Sequence, residues 1–222
     1  MANEAAGDRG TVYLVDDDPA VRESVAELLR AHGLTVQTYS DAGTFLAELD
    51  AGATGCVVLD VRMPELSGLD VQQELKAQGV HLPVIIMTGH GDLPMAVRAM
   101  KAGAMEFICK PFKTAELLGW VRKALAEDAH RRRDWAMRRE IGRRIQRLNE
   151  GEKEVLDALV EGRFNKVIAN QLGISISTVE ARRRRIRDKL HIDNLSVLIR
   201  MMDCYRKAIR PGGQGPAALH NE

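Results

Sequence analysis

The central stretch of the first half of the chain reads Cys56-Val57-Val58-Leu59-Asp60-Val61-Arg62-Met63-Pro64. Its four leading apolar residues predict a short strand covered on both faces. Pro64 and Gly68 then break the chain into a loop. Asp60 is therefore expected at the carboxyl end of a parallel strand, which is the edge where open α/β sheets bind ligands. Taken alone, this aspartate is more simply explained as a turn cap, and the surrounding sequence changes that interpretation.

Similar apolar runs lie on both sides of this stretch, and helical patterns separate them. Asp18 and Pro19 have the N-cap and first-turn chemistry that starts a helix. Strands alternating with helices predict a five-stranded, parallel, doubly wound sheet of the flavodoxin-like kind. The other predicted strands are Thr11–Val15, Thr35–Tyr39, Pro83–Thr88 and Ala104–Cys109, and helices are predicted near 19–32, 41–50, 68–78, 92–102 and from Thr114.

Polar side chains follow four of these strands, namely Asp16, Asp17, Asp60, Thr88 and Lys110. The carboxyl ends of parallel strands share one edge, so these groups should converge. Neighbouring carboxylates repel one another and need a cation, and an all-oxygen ligand set favours Mg²⁺ or Mn²⁺. A lysine and a hydroxyl beside them suit a phosphoryl group. Asp60 is then the candidate nucleophile, forming an aspartyl phosphate.

Charge divides the chain in two. Residues 1–128 carry 11 basic and 19 acidic residues, a net charge of −8, whereas residues 129–222 carry 21 and 12, a net of +9. This asymmetry predicts one half that handles cations and another that binds a polyanion. The three cysteines are widely spaced and predict reduced core residues rather than a disulfide or zinc site. No signal-peptide core and no membrane-length apolar run is present, so we expect a soluble, cytoplasmic protein.

The motifs of the first half resemble the receiver domain of two-component response regulators. The resemblance covers about 11–126 and rests on Asp16-Asp17, Asp60 with Met63-Pro64, Thr88, and Lys110-Pro111-Phe112, in that order. The segment from Thr88 to Val97 is similar to the FixJ-like subgroup. The resemblance implies that Asp60 is the phosphoacceptor. It further implies that Asp16, Asp17, Asp60 and the backbone carbonyl of Arg62 bind Mg²⁺, that Thr88 and Lys110 bind the phosphoryl group, and that Thr88 and Phe107 form the switch.

The connector and second half predict an all-helical region. Thr114–Leu148 has the composition of a long helix, of which 127–147 would be the linker. Helices are then predicted at Glu150–Glu161, Asn165–Leu172, about 177–190 and Ser196–Ala208, with a turn at Gly173 and a possible Ser177/Glu180 capping box. A helix, a tight glycine turn and a capped basic helix form a helix-turn-helix pattern.

This second half resembles the LuxR-type DNA-binding domain over about 146–208. The resemblance implies that Glu180, Ala181 and Arg184 face base edges. It implies phosphate contacts for Asn165, Lys166, Ser177, Thr178, Arg182, Arg183 and Lys189. Two positions depart from the family pattern: Gly151 stands where an arginine is frequent, and Arg182 where a histidine is frequent. The first weakens an expected salt link, and the second adds a cation to the recognition helix.

The sequence therefore predicts a disordered tail (1–10), a receiver (11–126), a helical linker (127–147), a four-helix helix-turn-helix domain (148–208) and a flexible tail (209–222). The expected function is phosphorylation-controlled transcription regulation. The expected partners are a sensor histidine kinase, double-stranded promoter DNA, RNA polymerase and, after phosphorylation, a second copy of the chain, with no membrane. One alternative is a Mg²⁺-dependent phosphohydrolase, although Val61-Arg62 follows Asp60 where such enzymes need a second carboxylate. Another is a receiver whose output domain binds protein or RNA.

Overall fold

The computed structural model describes residues 10–50, 52–89, 93–192 and 194–209. The predicted tails at 1–10 and 209–222 lie outside this range, apart from Gly10 and Ile209. The chain divides into two compact units between Arg132 and Arg133. The predicted domain and linker boundaries remain predictions. Within the described residues, no helix is long and apolar enough to cross a membrane.

The first unit is built on a parallel five-stranded sheet in the order β2-β1-β3-β4-β5. The strands are β1 (Thr11–Val15), β2 (Val36–Tyr39), β3 (Gly55–Asp60), β4 (Val84–Thr88) and β5 (Glu106–Cys109). The helices are α1 (Pro19–Ala31), α2 (Ala42–Glu48), α3 (Gly68–Ala77), α4 (Leu93–Ala102) and α5 (Thr114–Gln146). The division between the two units falls within α5. The predicted fold class is confirmed.

Strand β3 lies at the centre of the sheet, and all six of its residues are buried. Its side chains alternate between two apolar clusters. Cys56 and Val58 belong to the cluster with Leu29 and Val121, whereas Val57 and Leu59 belong to the other one. Covering both faces with apolar side chains is what a continuous apolar run requires. The strand therefore holds Asp60 on a rigid element.

Helix α1 begins as the sequence predicts. The Asp18 carboxylate accepts hydrogen bonds from the backbone N–H groups of Ala20 and Val21, at 2.9 and 3.3 Å, and Pro19 is the first helical residue. The prediction for the cysteines holds only in part. Cys56 is buried, but Cys109, the last residue of the edge strand β5, is exposed. The side chain of Cys204 lies outside the part of the chain that the structure describes.

In its described residues the second unit contains four more helices: α6 (Glu150–Val160), α7 (Asn165–Leu172), α8 (Ile176–Leu190) and α9 (Leu195–Ile209). Their apolar faces form one cluster that includes Val155, Ile168, Val179 and Ile186. Gly173 has φ 65° and ends α7 in the left-handed conformation that favours glycine, which makes the tight turn before α8.

The predicted Ser177/Glu180 capping box at the start of α8 is wrong. The N-cap is Ser175, whose extended backbone directly precedes the helix and whose Oγ accepts a hydrogen bond from the Thr178 backbone N–H at 3.1 Å. Sequence alone leaves several hydroxyl residues as possible caps, and the backbone conformation selects one. A capping box that the sequence did not predict starts α6, where Asn149 and Glu152 exchange hydrogen bonds.

Candidate functional site

The strand ends of the first unit bring two carboxylates and one ammonium group together. Lys110 Nζ donates to Asp16 Oδ2 at 2.7 Å and to Asp60 Oδ1 at 2.9 Å. Asp16 is 1% exposed and Asp60 5% exposed, so both carboxylates depend on this cation. Three residues separated by as many as 94 positions thus form one charged cluster, as the sequence predicts for this edge of the sheet.

Burial and ion pairing have opposite effects on the pKa values in this cluster. Burial raises the pKa of the Asp16 carboxyl, and the hydrogen bond from Lys110 only partly offsets that effect. Burial lowers the pKa of Lys110, but the hydrogen bonds to Asp16 and Asp60 outweigh it, so the net pKa of Lys110 is raised. The lysine is therefore held firmly in its charged form.

The acidic loop after β1 is pinned by a residue that the sequence analysis missed. Arg22, in the first turns of α1, donates from Nη1 to the backbone carbonyl of Asp16 at 2.7 Å and to that of Asp17 at 3.3 Å. Asp16 Oδ1 also accepts from the Asp18 backbone N–H at 3.0 Å. These bonds fix the loop while the Asp17 side chain stays exposed. The sequence did offer a signal for this contact, namely an arginine one turn into the helix that follows an acidic loop.

The loop after β3 is fixed against Asp60 itself. The Arg62 backbone N–H donates to Asp60 Oδ2 at 2.6 Å. Gly68, the first residue of α3, approaches so closely that a Cβ atom there would lie 2.2 Å from the Asp60 carbonyl oxygen. Only glycine fits this contact without moving backbone. A cleft of about 550 Å³ opens beside the loop and is lined in part by Asp17, Arg62, Met95 and Arg98.

The other predicted members of the site lie on β4 and β5. Thr88 is buried, and its backbone carbonyl accepts from the Lys110 N–H at 2.7 Å, which ties the two strand ends together. Phe107 is partly buried and packs against the apolar cluster that contains Ile86 and Ala99. Its role as a switch aromatic stays a prediction, as does that of Thr88.

The donor set suits a hard divalent cation. Asp17 and Arg62 line one cleft next to Asp60, and the candidate donors are carboxylate and carbonyl oxygens throughout. Across the part of the chain that the structure describes, no three His, Cys, Asp or Glu side chains converge as a metal cluster. At Asp16 and Asp60 the balancing charge is the Lys110 ammonium.

The helix-turn-helix of the second unit presents a strongly basic α8. Ala181, Arg184 and Glu180 are exposed, as are Lys166 and Ser177. Arg183 Nη1 donates to the side-chain oxygen of Asn165 at the start of α7. A cleft of about 300 Å³ is lined in part by Asn165, Glu180, Arg183, Arg184 and Arg187. Arg187 was not among the predicted contacts.

Two predicted phosphate contacts are engaged inside the domain instead. Lys189 Nζ donates to Glu152 Oε2 at 2.6 Å and to the Arg147 carbonyl at 3.2 Å. Arg182 Nη1 donates to the Gly151 carbonyl at 3.1 Å. The sequence analysis treated both side chains as available to DNA. In the structure both are held by bonds within the domain, because Glu152 is buried and attracts Lys189, and because Gly151 leaves room for the Arg182 guanidinium. Their contact with DNA phosphates rests on the sequence alone.

Comparisons with known proteins agree with this division. The response regulator receiver domain matches residues 12–122, and the luxR family of bacterial regulatory proteins matches residues 146–202. An acid cluster with a lysine at the edge of a flavodoxin-like sheet, followed by a LuxR-type helix-turn-helix, defines a class: DNA-binding response regulators controlled by phosphorylation.

Similar proteins narrow that class. The chain is 48% identical to the transcriptional regulatory protein FixJ of Azorhizobium caulinodans, over 86% of this chain and 90% of that protein. It is 43% identical to the response regulator protein TodT of Pseudomonas putida, over 88% and 87%. The solved structure of the response regulator StyR matches with a TM-score of 0.79 at 40% identity, covering 89% of this chain and 100% of that one. Full-length FixJ from B. japonicum matches with a TM-score of 0.57 at 38% identity, covering 90% and 98%.

The chain therefore belongs to the FixJ-like response regulators, which are transcription regulators and not enzymes.

Proposed function

We propose that a sensor histidine kinase transfers a phosphoryl group to Asp60 and that the phosphorylated chain binds promoter DNA through α8. The observation that carries the first half of this proposal is the double hydrogen bond of Lys110 to Asp16 and Asp60. The Lys110 ammonium group already lies beside both carboxylates. It can replace one of these hydrogen bonds by a bond to a phosphoryl oxygen without moving away from the site.

In the transfer, an Asp60 carboxylate oxygen attacks the phosphorus of the phosphohistidine, and the phosphorus–nitrogen bond to the imidazole breaks. Lys110 moves one hydrogen bond from Asp60 to a phosphoryl oxygen. The Thr88 hydroxyl donates to another oxygen of the same group, and Phe107 turns inward into the space that Thr88 vacates.

Asp17, Asp60 and the Arg62 carbonyl would hold Mg²⁺, or Mn²⁺ in its place, with Asp16 acting largely through water. When bound, the cation neutralises the phosphoryl oxygens during transfer. Arg22 supports this set by fixing the carbonyls of Asp16 and Asp17, which leaves the Asp17 carboxylate directed outward.

For the DNA complex we propose base-edge contacts from Glu180, Ala181 and Arg184 in the major groove. Phosphate contacts would come from Asn165, Lys166, Ser177, Thr178 and Arg183. Arg182 and Lys189 are left out because their bonds lead away from the exposed side of α8, to Gly151 and Glu152 of α6. Arg183 is kept because its bond to Asn165 joins two of the proposed contacts. A homodimer would match a promoter element with two half-sites, and RNA polymerase would be the partner at that promoter. Since kinase transmitter, DNA and polymerase share the cytoplasm, the protein acts there.

Acetyl phosphate with Mg²⁺ tests the assignment of Asp60. The native chain should gain one phosphoryl group by intact-mass measurement, and Asp60→Asn should gain none. The matched control is Asp50→Asn, which changes an exposed carboxylate of the same unit and should be labelled like the native chain. Labelling of Asp60→Asn would refute the assignment.

Selection from a random duplex library tests the output. The phosphorylated chain should enrich one sequence with two related half-sites. If no sequence is enriched, the promoter-binding role is refuted and a protein or RNA partner takes its place.

A further inference from the structure

Arg182 of α8 is folded back onto the start of α6. Its Nη1 donates to the Gly151 carbonyl at 3.1 Å, and the Glu154 carboxylate lies 3.9 Å away. The Arg182 side chain is only 25% exposed, whereas its neighbours Arg183 and Arg184 are exposed. One guanidinium of the basic helix is thus held inside the domain.

The missing side chain at position 151 makes this contact possible. A Cβ atom on Gly151 would lie 2.6 Å from Arg182 Cζ, and 2.7 and 2.8 Å from its two terminal nitrogens. These atoms form the far end of a flexible side chain and not part of the backbone. A methyl group at position 151 would therefore displace the guanidinium and leave both helices in place.

The same side of α8 is also held by Lys189. Its ammonium group bonds to Glu152, the neighbour of Gly151 on α6. Successive positions of α6 thus draw two cations of the recognition helix away from its exposed side. The contact at Gly151 depends on space rather than on charge, so one substitution can remove it while keeping every charge of the domain.

We propose that Gly151 is a positioning residue for DNA binding: by leaving room for Arg182 it keeps that guanidinium off the DNA phosphates. This inference rests on the proposed DNA-binding function of α8. A phosphate contact raises affinity for every sequence alike and carries no base information. Gly151 therefore limits the part of the affinity that is independent of sequence.

Gly151→Ala tests the proposal, because it should release Arg182 to a phosphate. Each phosphate contact steepens the plot of log K against log[salt] by about 0.9 on duplex DNA. We expect the full-length variant, treated with acetyl phosphate and Mg²⁺, to show that steeper slope on a random-sequence duplex. This corresponds to about 3.5-fold more loss of affinity between 50 and 200 mM salt. Alanine suits a helix better than glycine, so the variant should fold at least as stably.

Arg182→Ala and the double variant supply the decisive comparison. Because Arg182 is held off the DNA in the native chain, Arg182→Ala should keep the native slope. Gly151→Ala/Arg182→Ala should return to that slope as well. Gly119→Ala is the matched control, since it changes a helical glycine of the first unit where an added Cβ meets nothing within 4 Å. It should change nothing.

Lys166→Ala separates this proposal from the proposed function. Lys166 is a proposed phosphate contact, so its removal should flatten the slope by about 0.9. If the native chain binds no duplex, or Lys166→Ala leaves the slope unchanged, the DNA-binding assignment is at fault. If Lys166→Ala flattens the slope but Gly151→Ala does not steepen it, or if Arg182→Ala alone flattens it, the role of Gly151 is overturned.

Discussion

At the scale of single residues, one cation shared between two carboxylates governs the cluster at the end of β3. Lys110 is 19% exposed, and its partners Asp16 and Asp60 are almost fully buried. A buried carboxylate that loses its partner is strongly destabilising, because nothing replaces the lost hydration. Lys110 thus stabilises the receiver fold through its bonds to Asp16 and Asp60.

Lys110→Ala should lower the free energy of unfolding of the first unit by about 3 kcal/mol at pH 7. The pKa of Asp16 is already raised by burial, and losing Lys110 removes the group that offsets this. A carboxyl whose folded-state pKa is raised destabilises the fold fully above that pKa, and the loss shrinks as the pH falls from there towards the unfolded-state pKa. The deficit should therefore shrink as the pH falls through the raised pKa.

Urea unfolding followed from pH 7 down to about pH 4, near the ordinary pKa of an aspartate, measures both effects. Lys113→Ala, a change at an exposed lysine three residues away, is the control and should be close to neutral. A deficit that stays constant over this pH range would contradict the coupling of Lys110 to Asp16.

At the scale of elements, α5 holds the amino end of β3, opposite to the end that carries Asp60. The Asp128 carboxylate is buried and accepts from the Gly55 backbone N–H at 3.0 Å. Arg131 and Arg132 pair with the same carboxylate at 3.3 and 2.9 Å. The strand that carries Asp60 at its carboxyl end is thus fixed to α5 at its amino end. Burial raises the pKa of the Cys56 thiol to about 12, and the nearby Asp128 carboxylate adds to this shift.

Asp128→Ala should destabilise the first unit by about 1–3 kcal/mol, since it leaves the buried Gly55 N–H without an acceptor. Asp128→Asn should cost less, because its amide oxygen can still accept that bond. The measurement is urea unfolding, with amide hydrogen exchange at Gly55 as the local reading. Glu127→Ala changes an exposed neighbour and should leave both unaffected. Equal losses for the alanine and asparagine variants would contradict the role of this hydrogen bond.

At the scale of the whole molecule, the sheet unit and the helical unit each have apolar clusters of their own. Two apolar clusters cover the faces of the sheet, and a third, with residues such as Leu156 and Leu198, fills the helical unit. Separate cores allow separate unfolding transitions, and a ligand stabilises only the part of the chain that binds it. The unfolding of the two units can therefore be measured separately.

Calorimetry of the full chain should resolve two transitions. Acetyl phosphate with Mg²⁺ should raise only the transition of the first unit, and duplex DNA only that of the second. A ligand at one hundred times its Kd contributes about 2.7 kcal/mol. Asp60→Asn should abolish the shift caused by acetyl phosphate. One transition moved equally by both ligands would contradict independent cores.

The sequence determined the pattern of elements and the edge at which the site lies. Alternating apolar runs and helical patterns predicted the parallel sheet, and parallel strands must end on one side. The sequence alone therefore assigned Asp16, Asp60 and Lys110 to one cluster. The glycine turn and the basic helix likewise predicted the helix-turn-helix.

The tertiary structure decided which polar group pairs with which. Sequence periodicity shows which side of a helix faces the core, but it does not show how a long side chain turns or which backbone group lies within its reach. The bonds of Arg22 to two loop carbonyls, and of Asp128 to Gly55 across 73 positions, depend on that packing. So does the withdrawal of Arg182 and Lys189 from the exposed side of α8. The sequence showed which residues are charged, but the partner of each charged side chain depended on the fold. Hydrogen bonds need distances of about 3 Å, and only packing brings the groups that close.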